Sequence, residues 1–314
     1  MKSELAQEII DCLPGERTLF RYYKDYYAVC LLRRELLKHS EITIPKIRKG
    51  HLGKLLSKPV FADLLAKSGS GKIDVFDLDG LWPDDFESYV LTLGTWGHSQ
   101  TKKYRYYQVS RPGKNLVLQM NFCRRHDAMY RRCVSDDLEY FQFFGHPISR
   151  RYCTLAWARI DLDLDTGEAL IEEIQSDWLR EIDSLAEYIK CYVGNRRRKF
   201  RYAGWVLNVD KVLNYLEGEV DRHRVIWSEA MLSASISFLR DEIGISRIYY
   251  HTPDTGAVLK NIHYSKPPRS IYTKLPKQFC FELVNEAPEF LAKDKQAKRR
   301  LKVMKDPQWF CMAA

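Results

Sequence analysis

"CTLAWARIDLDLDTGEALIEEIQSDW", Cys153 to Trp178, decides how this chain is read. Two apolar, strand-forming runs flank Thr166-Gly167, so the stretch predicts a β-hairpin turning there. A two-residue turn sets Asp165 against Glu168, Asp163 against Leu170, Asp161 against Glu172 and Ile160 against Glu173. Period-two alternation then assigns faces. One face carries Ala156, Ala158, Ile160, Leu162, Leu164, Ile171, Glu173, Gln175 and Asp177. The other carries Arg159, Asp161, Asp163, Leu170, Glu172, Ile174 and Trp178. The first face is apolar until its last three members. A carboxylate there must be paired or held protonated. A raised pKa would suit a general acid or base near neutrality. Glu173, Gln175 and Asp177 are therefore the candidate site. The competing reading is a buried polar network in which Arg159 or Arg180 neutralises the acids.

Outward from the hairpin, the chain divides by character. Residues 1–88 read as a mainly helical, basic region. Arg17–Ser40 has helical spacing and is tyrosine-rich, a stripe that belongs to a core or an interface. Two short helices broken near Pro59, a Gly-Ser turn and a strand at "KIDVFDL" hint at a winged helix-turn-helix. There Lys46, Arg48, Lys49, Lys54 and Lys58 would meet phosphates, or simply coat a solvated helical layer. Gly69-Ser70-Gly71 is not a phosphate loop, because no Gly-Lys-Ser/Thr completes it. Residues 89–290 read as an α/β domain. Its strands are expected at "YVLTLGTW", "KYRYYQVS" and "NLVLQMNF", and a helical stretch at about 126–144. An insert at about 179–226 opens with a helix that ends in the cluster Arg196 to Lys199, and "AGWVLNV" follows as a short strand. A helix is expected over 228–243, with Ser228 as N-cap and Gly244 as its stop. "SRIYYHT" reads as a strand and Pro253-Asp254 opens a short helix, with Asp254 as its cap. "SIYTKLPKQFCFELV" reads as a turn and strand. Residues 291–314 form a basic tail with a surface helix.

Composition narrows the class. The chain has 314 residues, 45% of them hydrophobic and 13% aromatic, enough to bury a sizeable core. Its net charge of +9 suits an acidic partner such as nucleic acid, a nucleotide cofactor or an acidic protein. None of the eight cysteines forms Cys-x-x-Cys, and Cys123 alone lies within five residues of a histidine, His126, which disfavours a zinc site of ordinary spacing. No run reaches the roughly 18 apolar residues of a membrane helix. The first residues do not read as a signal peptide. Unpaired thiols without an export signal predict a reducing cytoplasm.

The order of strand 153–164, strand 168–177, insert, helix 228–243, strand 246–251, short helix and "IYTKLPKQFCFE" resembles the core of the GNAT superfamily of acyltransferases, over about residues 115–285. The resemblance implies a mixed, mainly antiparallel sheet with flanking helices and transfer of an acyl group from acetyl-CoA or another acyl-CoA to an amine. It implies Glu173 as base and Tyr272 as acid; Gln175 and Asp177 are expected to orient the substrate, with Trp178, His251 and Asp254 as further expected substrate contacts. The chain departs from the family at the helix entry, "DRHRVIWSEAM", where no glycine opens an amide cradle for pyrophosphate. Arg222, Arg224 or the Arg196–Lys199 cluster would have to substitute. "IEEIQSDW" is also similar to a segment of polyvalent proteins of phages and conjugative plasmids, which implies a mobile-element setting without naming a reaction.

Two other classes compete. "RIDLDLDTGEALIEEIQ" resembles the hairpin of PD-(D/E)xK nucleases, with Asp161 or Asp163 as first acid, Glu173 as second and Mg²⁺ between them. The hairpin faces oppose this, since Asp161 and Asp163 lie opposite Glu173 unless a bulge intervenes. A non-catalytic binding module is the third reading. His126 and His146 lie in basic surroundings where they read as solvated loop residues or phosphate contacts. His251 reads as a strand-end contact or a turn cap. No Gly-x-Ser-x-Gly supports a serine triad.

Overall fold

The computed structural model describes residues 1–12, 18–39, 41–69, 71–98, 107–137, 141–193, 198–262 and 268–313. The strands are β1 (Thr18–Tyr22), β2 (Ile42–Thr43), β3 (Lys72–Ile73), β4 (Glu87–His98), β5 (Gly113–Asn121), β6 (Thr154–Asp163), β7 (Glu168–Gln175), β8 (Lys199–Tyr202), β9 (Trp205–Asn208), β10 (Arg247–His251), β11 (Glu282–Val284) and β12 (Trp309–Met312). The helices are α1 (Ser3–Cys12), α2 (Tyr26–Leu37), α3 (Ile44–Lys49), α4 (Ala62–Lys67), α5 (Val75–Asp79), α6 (Arg124–Cys133), α7 (Asp177–Ile189), α8 (Val209–Tyr215), α9 (Asp221–Arg224), α10 (Trp227–Ser237), α11 (Pro253–Lys260), α12 (Arg269–Gln278), α13 (Glu289–Lys293) and α14 (Lys295–Leu301).

Eight strands form one sheet in the order β1-β4-β5-β6-β7-β10-β12-β11. Among the described residues only β7 and β10 run parallel; the other neighbours are antiparallel. The protein is therefore mixed α/β with a mainly antiparallel sheet. Strands β5 and β6 are buried along nearly their whole length, as expected for central strands covered on both faces. Helix α10 packs on β6 and β7, and its residues 229–236 are all buried, Glu229, Ser233 and Ser235 among them. It runs on into a π-helical turn, Phe238–Glu242. The opposite face carries a smaller core of Leu170, Tyr249, Leu259, Phe290, Leu291, Ala297 and Trp309. Among the described residues no helix is long and apolar enough to cross a membrane.

The central hairpin forms, but its register differs from the expected one. Asp163 pairs with Glu168, Asp161 with Leu170 and Ile160 with Ile171. The turn is longer, Leu164 to Gly167, because the Asp163 carboxylate accepts from the amides of Asp165 (3.0 Å) and Thr166 (3.3 Å). Gly167 supplies the left-handed residue at φ +62°. The ladder then slips. Arg159 pairs with Glu173, so Glu172 is an extra residue, a β-bulge. Beyond it Ala158 pairs with Ile174 and Trp157 with Gln175. The bulge exchanges faces: Ile174 joins the apolar side, while Glu173 and Gln175 move to the side of Arg159. The apolar face expected to end in acids ends in Ile174 instead.

Other elements shift as well. Thr18–Tyr22 is not the start of a helix but the edge strand β1, paired along β4 from Thr18–Leu91 to Tyr22–Glu87. Residues 1–88 thus contribute helices and also one strand of the large sheet. The two short helices and strand expected as a winged motif are α3 to α5 closed by the two-residue ribbon of β2 and β3. Gly53 is required there, since a Cβ would lie 2.2 Å from the Arg48 carbonyl. The helix expected to 144 stops at Cys133. Helix α10 has Ile226, not Ser228, as N-cap. Thr252 rather than Asp254 caps α11, through a reciprocal bond with Thr255. "SIYTKLPKQ" is helical as α12. The tail carries the surface helix α14 but also β12, which inserts between β10 and β11. Residues 103–106 of "KYRYYQVS" and Arg196 and Arg197 lie outside the described residues.

Candidate functional site

The bulge aims Glu173 and Gln175 into a pocket of about 230 Å³. Trp96, Tyr107, His146, Trp157, Arg159, Glu173 and Gln175 line it. Three strands supply the floor: β4 gives Trp96, β6 gives Trp157 and Arg159, and β7 gives Glu173 and Gln175. Two loops supply the walls. One carries Tyr107 and Gln108, the latter at φ +51°, a conformation that non-glycine residues adopt at a cost. The other carries His146 and is tied to β5 by Gln119 Nε2, which donates to the Pro147 carbonyl at 2.9 Å.

His146 faces Asp177. Its Nδ1 lies 2.9 Å from both carboxylate oxygens. Asp177 is the first residue of α7, behind the N-cap Ser176, so the helix end also favours its charge. Trp157 Nε1 (3.0 Å), Gln175 Nε2 (2.5 Å) and Arg180 (2.7 Å) donate to the same carboxylate. Burial pushes the Asp177 carboxyl up, but the His146 and Trp157 hydrogen bonds and the charges of His146 and Arg180 win and hold it below the usual carboxylate range. In the neutral ring an ionised carboxylate beside Nδ1 favours the tautomer with its proton there, and Gln175 Nε2 lies 3.2 Å from the same nitrogen. Nε2 of the ring is left with its lone pair and has no hydrogen-bond partner among the described residues. The side chain keeps 27% of its surface exposed on the pocket, against 3% for Asp177. This is the arrangement of a general base with its orienting acid.

Glu173 has a different role. Its carboxylate pairs with the Arg159 guanidinium and lies 3.7 Å from Lys260 Nζ. Burial alone would raise its pKa, but Lys260 and Arg159 outweigh that and lower it to about 2. A carboxylate so stabilised is a poor proton acceptor near neutrality. Arg159 also donates to the carbonyls of Tyr107 (2.6 Å) and Gln108 (3.1 Å), so the pair anchors the pocket loop. The extra residue Glu172 secures that loop from behind. It accepts from the Ser110 amide (3.0 Å) and hydroxyl (2.7 Å), and His251 Nε2 lies 3.3 Å away. Ser110, Glu172 and His251 resemble a serine triad in composition, but all three are fully buried and satisfy one another.

The structure thus brings together Glu173, Gln175 and Asp177 and separates the other expected site residues from them. Trp178 is 1% exposed, inside an aromatic cluster with Phe122, His126, Tyr130, Phe141 and Tyr215, and cannot touch a substrate. His126 stacks on Phe122 and bonds Tyr215 at 2.8 Å, so it is a core residue and not a solvated one. His251 is buried in the Glu172 network. Tyr272 and Asp254 line a second pocket, beyond Lys260. Burial, followed by the charge of Glu173, holds the Tyr272 phenol well above its ordinary pKa.

Two of the residues expected to replace a pyrophosphate loop, Arg222 and Arg224, are engaged elsewhere. Arg222 is paired with Asp85 and Glu87, and Arg224 with Asp183 and Asp221. The first turn of α10 holds buried Glu229, bonded to Lys24 and the Asp25 amide. The acids of the nuclease reading are likewise occupied. The bulge does bring Asp161 to the side of Glu173, but Asp161 is neutralised by the Met1 α-ammonium (2.7 Å) and Arg111 (2.6 Å), and Asp163 holds the turn. Among the described residues no three His, Cys, Asp or Glu side chains converge as a metal site. Of the N-terminal cations, Lys54 donates to the Lys277 carbonyl and Lys58 pairs with Asp25 at 3.1 Å, while Lys46, Arg48 and Lys49 are exposed.

Sequence reasoning missed His146 as a site residue and missed Lys260, Arg159's loop contacts and Ser110. His146 gave only the local signal of an imidazole between Gly145 and Pro147; its partner lies 31 residues on. No family model, curated protein or solved structure matches the chain.

Proposed function

We propose that the chain is an acyltransferase acting on an amine, with a GNAT-like core, and that His146 rather than Glu173 is its base. One observation carries the proposal: Nδ1 of His146 is held 2.9 Å from both oxygens of Asp177, while Nε2 has no partner among the described residues and the ring borders an open pocket. The element order supports the acyl-transfer part, with the hairpin β6–β7, the buried crossover helix α10, the parallel strand β10 and the short helix α11. An amine attacks an acyl carbon only after losing its proton. Nε2 takes that proton and Asp177 stabilises the imidazolium that results; the C–N bond forms as the acyl–S or acyl–O bond breaks, and the imidazolium returns the proton to the leaving thiolate or alkoxide. Trp96, Tyr107 and Trp157 exclude water from the acceptor. Arg159 and Glu173 hold the pocket loop and do not exchange protons. Because Arg222, Arg224 and the α10 entry do not fit a coenzyme A pyrophosphate, the donor requirement reduces to an activated acyl ester or thioester.

The test is thiol release from acetyl-CoA and from acetyl N-acetylcysteamine in the presence of a panel of amines, with and without EDTA. The proposal expects amine-dependent release that is insensitive to EDTA and falls about 10²- to 10⁴-fold in His146→Ala. Release that persists in that variant, or no release from either donor, overturns it. DNA cleavage abolished by EDTA would put the metal-dependent nuclease in its place.

A further inference from the structure

A second pocket, of about 70 Å³, opens between α11 and α12. Its rim is exposed, with Asp254 and Arg269, and its floor is buried, with Lys260 and Tyr272. Its remaining walls include Pro253, Gly256, Ala257 and Ile262 and are mostly apolar. Two features of the floor are unusual. The Tyr272 hydroxyl is fully buried and has no hydrogen-bond partner among the described residues. Lys260 is buried too, with its ammonium 5.5 Å above the Tyr272 ring. Of its three protons, one is used on the Glu172 carbonyl at 3.1 Å, and Glu173 lies at 3.7 Å. A buried hydroxyl left unmade costs free energy that a ligand can recover.

We propose that this pocket is a binding site for a short-chain carboxylate, of acetate to butyrate size. The carboxylate enters first, accepts from the Tyr272 hydroxyl and shares the Lys260 ammonium with Glu173, which lies 3.7 Å from it. The aliphatic part lies against Pro253, Ala257 and Ile262, and the pocket volume limits its length. Lys260 on the floor and Arg269 at the rim disfavour a cationic head, against the single acid Asp254 at the rim. A neutral alcohol would meet the hydroxyl but not use the charge. Lys260 also touches Glu173, so an occupant of this pocket bears on the ion pair that anchors the first one. The inference stands on the orphaned hydroxyl and the buried lysine and does not depend on the acyl-transfer reading.

The test is thermal unfolding of the full chain with sodium acetate, propionate and butyrate, against equal concentrations of sodium chloride, 1-butanol and butylamine. A ligand that binds only the native state raises the melting temperature with its concentration. The expected result is a rise with propionate or butyrate that the controls do not give. Tyr272→Phe keeps the ring and removes the orphaned hydroxyl, so the free protein should be no less stable, while carboxylate affinity falls about tenfold or more. Ala257→Leu fills the wall from a half-exposed helical position and should abolish the rise. No rise in the parent chain, an equal rise in Tyr272→Phe, or equal rises with chloride, butanol or butylamine each overturn the proposal.

Discussion

Nδ1 of His146 stands 2.9 Å from both carboxylate oxygens of Asp177, although the two residues come from a loop before β6 and from the first turn of α7. Everything proposed about catalysis depends on this contact, because it decides which ring nitrogen is free. Asp177→Asn keeps the shape and removes the charge. The asparagine can present its amide to Nδ1 and stabilise the wrong tautomer. Acyl transfer should then fall by two or more orders of magnitude, close to the loss in His146→Ala, while the far-ultraviolet circular dichroism stays native. Equal rates in parent and Asp177→Asn would refute the role of the pair.

Glu173 was the residue expected to act as base. Its pairing with Arg159 and Lys260 predicts a structural effect instead. Glu173→Gln leaves two buried cations without their counter-ion and should cost about 3–5 kcal/mol of unfolding free energy in urea. Replacing Arg159 alone by Met should cost a comparable amount. The double variant should cost less than the sum, since each change removes what the other leaves unpaired.

The acid limb of stability should follow the same carboxylate. Folded Glu173 titrates at about 2, against 4.5 as its ordinary value. A depressed carboxyl binds fewer protons in the folded chain than in the unfolded one. Its contribution is complete above about pH 4.5 and is lost as the pH falls toward about 2. Asp177 and Asp161, also held below their ordinary values, act in the same direction. Melting temperature measured against pH should therefore fall through this window in the parent chain, and fall less steeply in Glu173→Gln. Parallel curves would show that Glu173 is not held down in solution.

Trp178 separates packing from chemistry. It is buried among aromatic rings, with Nε1 donating to Tyr215 at 3.3 Å, and does not line the pocket. Trp178→Ala should lower stability by about 3–5 kcal/mol. Trp178→Phe should lower it less and leave the rate at temperatures well below melting within a few-fold of the parent. A specific loss of rate in a fully folded Trp178→Phe would place this ring at the substrate after all.

Ser110→Ala tests the loop from behind. Removing the hydroxyl leaves one Glu172 oxygen short of a donor at a fully buried position. A cost of about 1–3 kcal/mol is expected. The amides around Tyr107 and Gln108 should exchange with deuterium faster, since Arg159 and Glu172 hold that loop from two sides. Unchanged exchange would mean that the Glu172 cluster does not hold the loop.

Much of this was legible in the chain, and for local reasons. Alternation between Cys153 and Gln175, with Thr166-Gly167 between the runs, determined a hairpin, because side-chain period and turn chemistry are properties of neighbouring residues. The crossover helix, the strand at Arg247–His251 and the short helix after Thr252 were equally local. Glu173, Gln175 and Asp177 stood out as a polar end that needed an explanation, and the structure does gather them at one place. Tertiary structure decided the rest. Asp163 lengthened the turn and one extra residue, Glu172, slipped the ladder, and each such step reverses which face a strand residue takes. Strands β1 and β12 have weak patterns of their own and form because the sheet offers them partners. His146, Lys260 and Arg159 owe their roles to contacts with residues up to 88 positions away in the chain. A bulge costs little locally and is chosen by the packing on both sides of it, so alternation could assign the strand but not the face on which its acids lie.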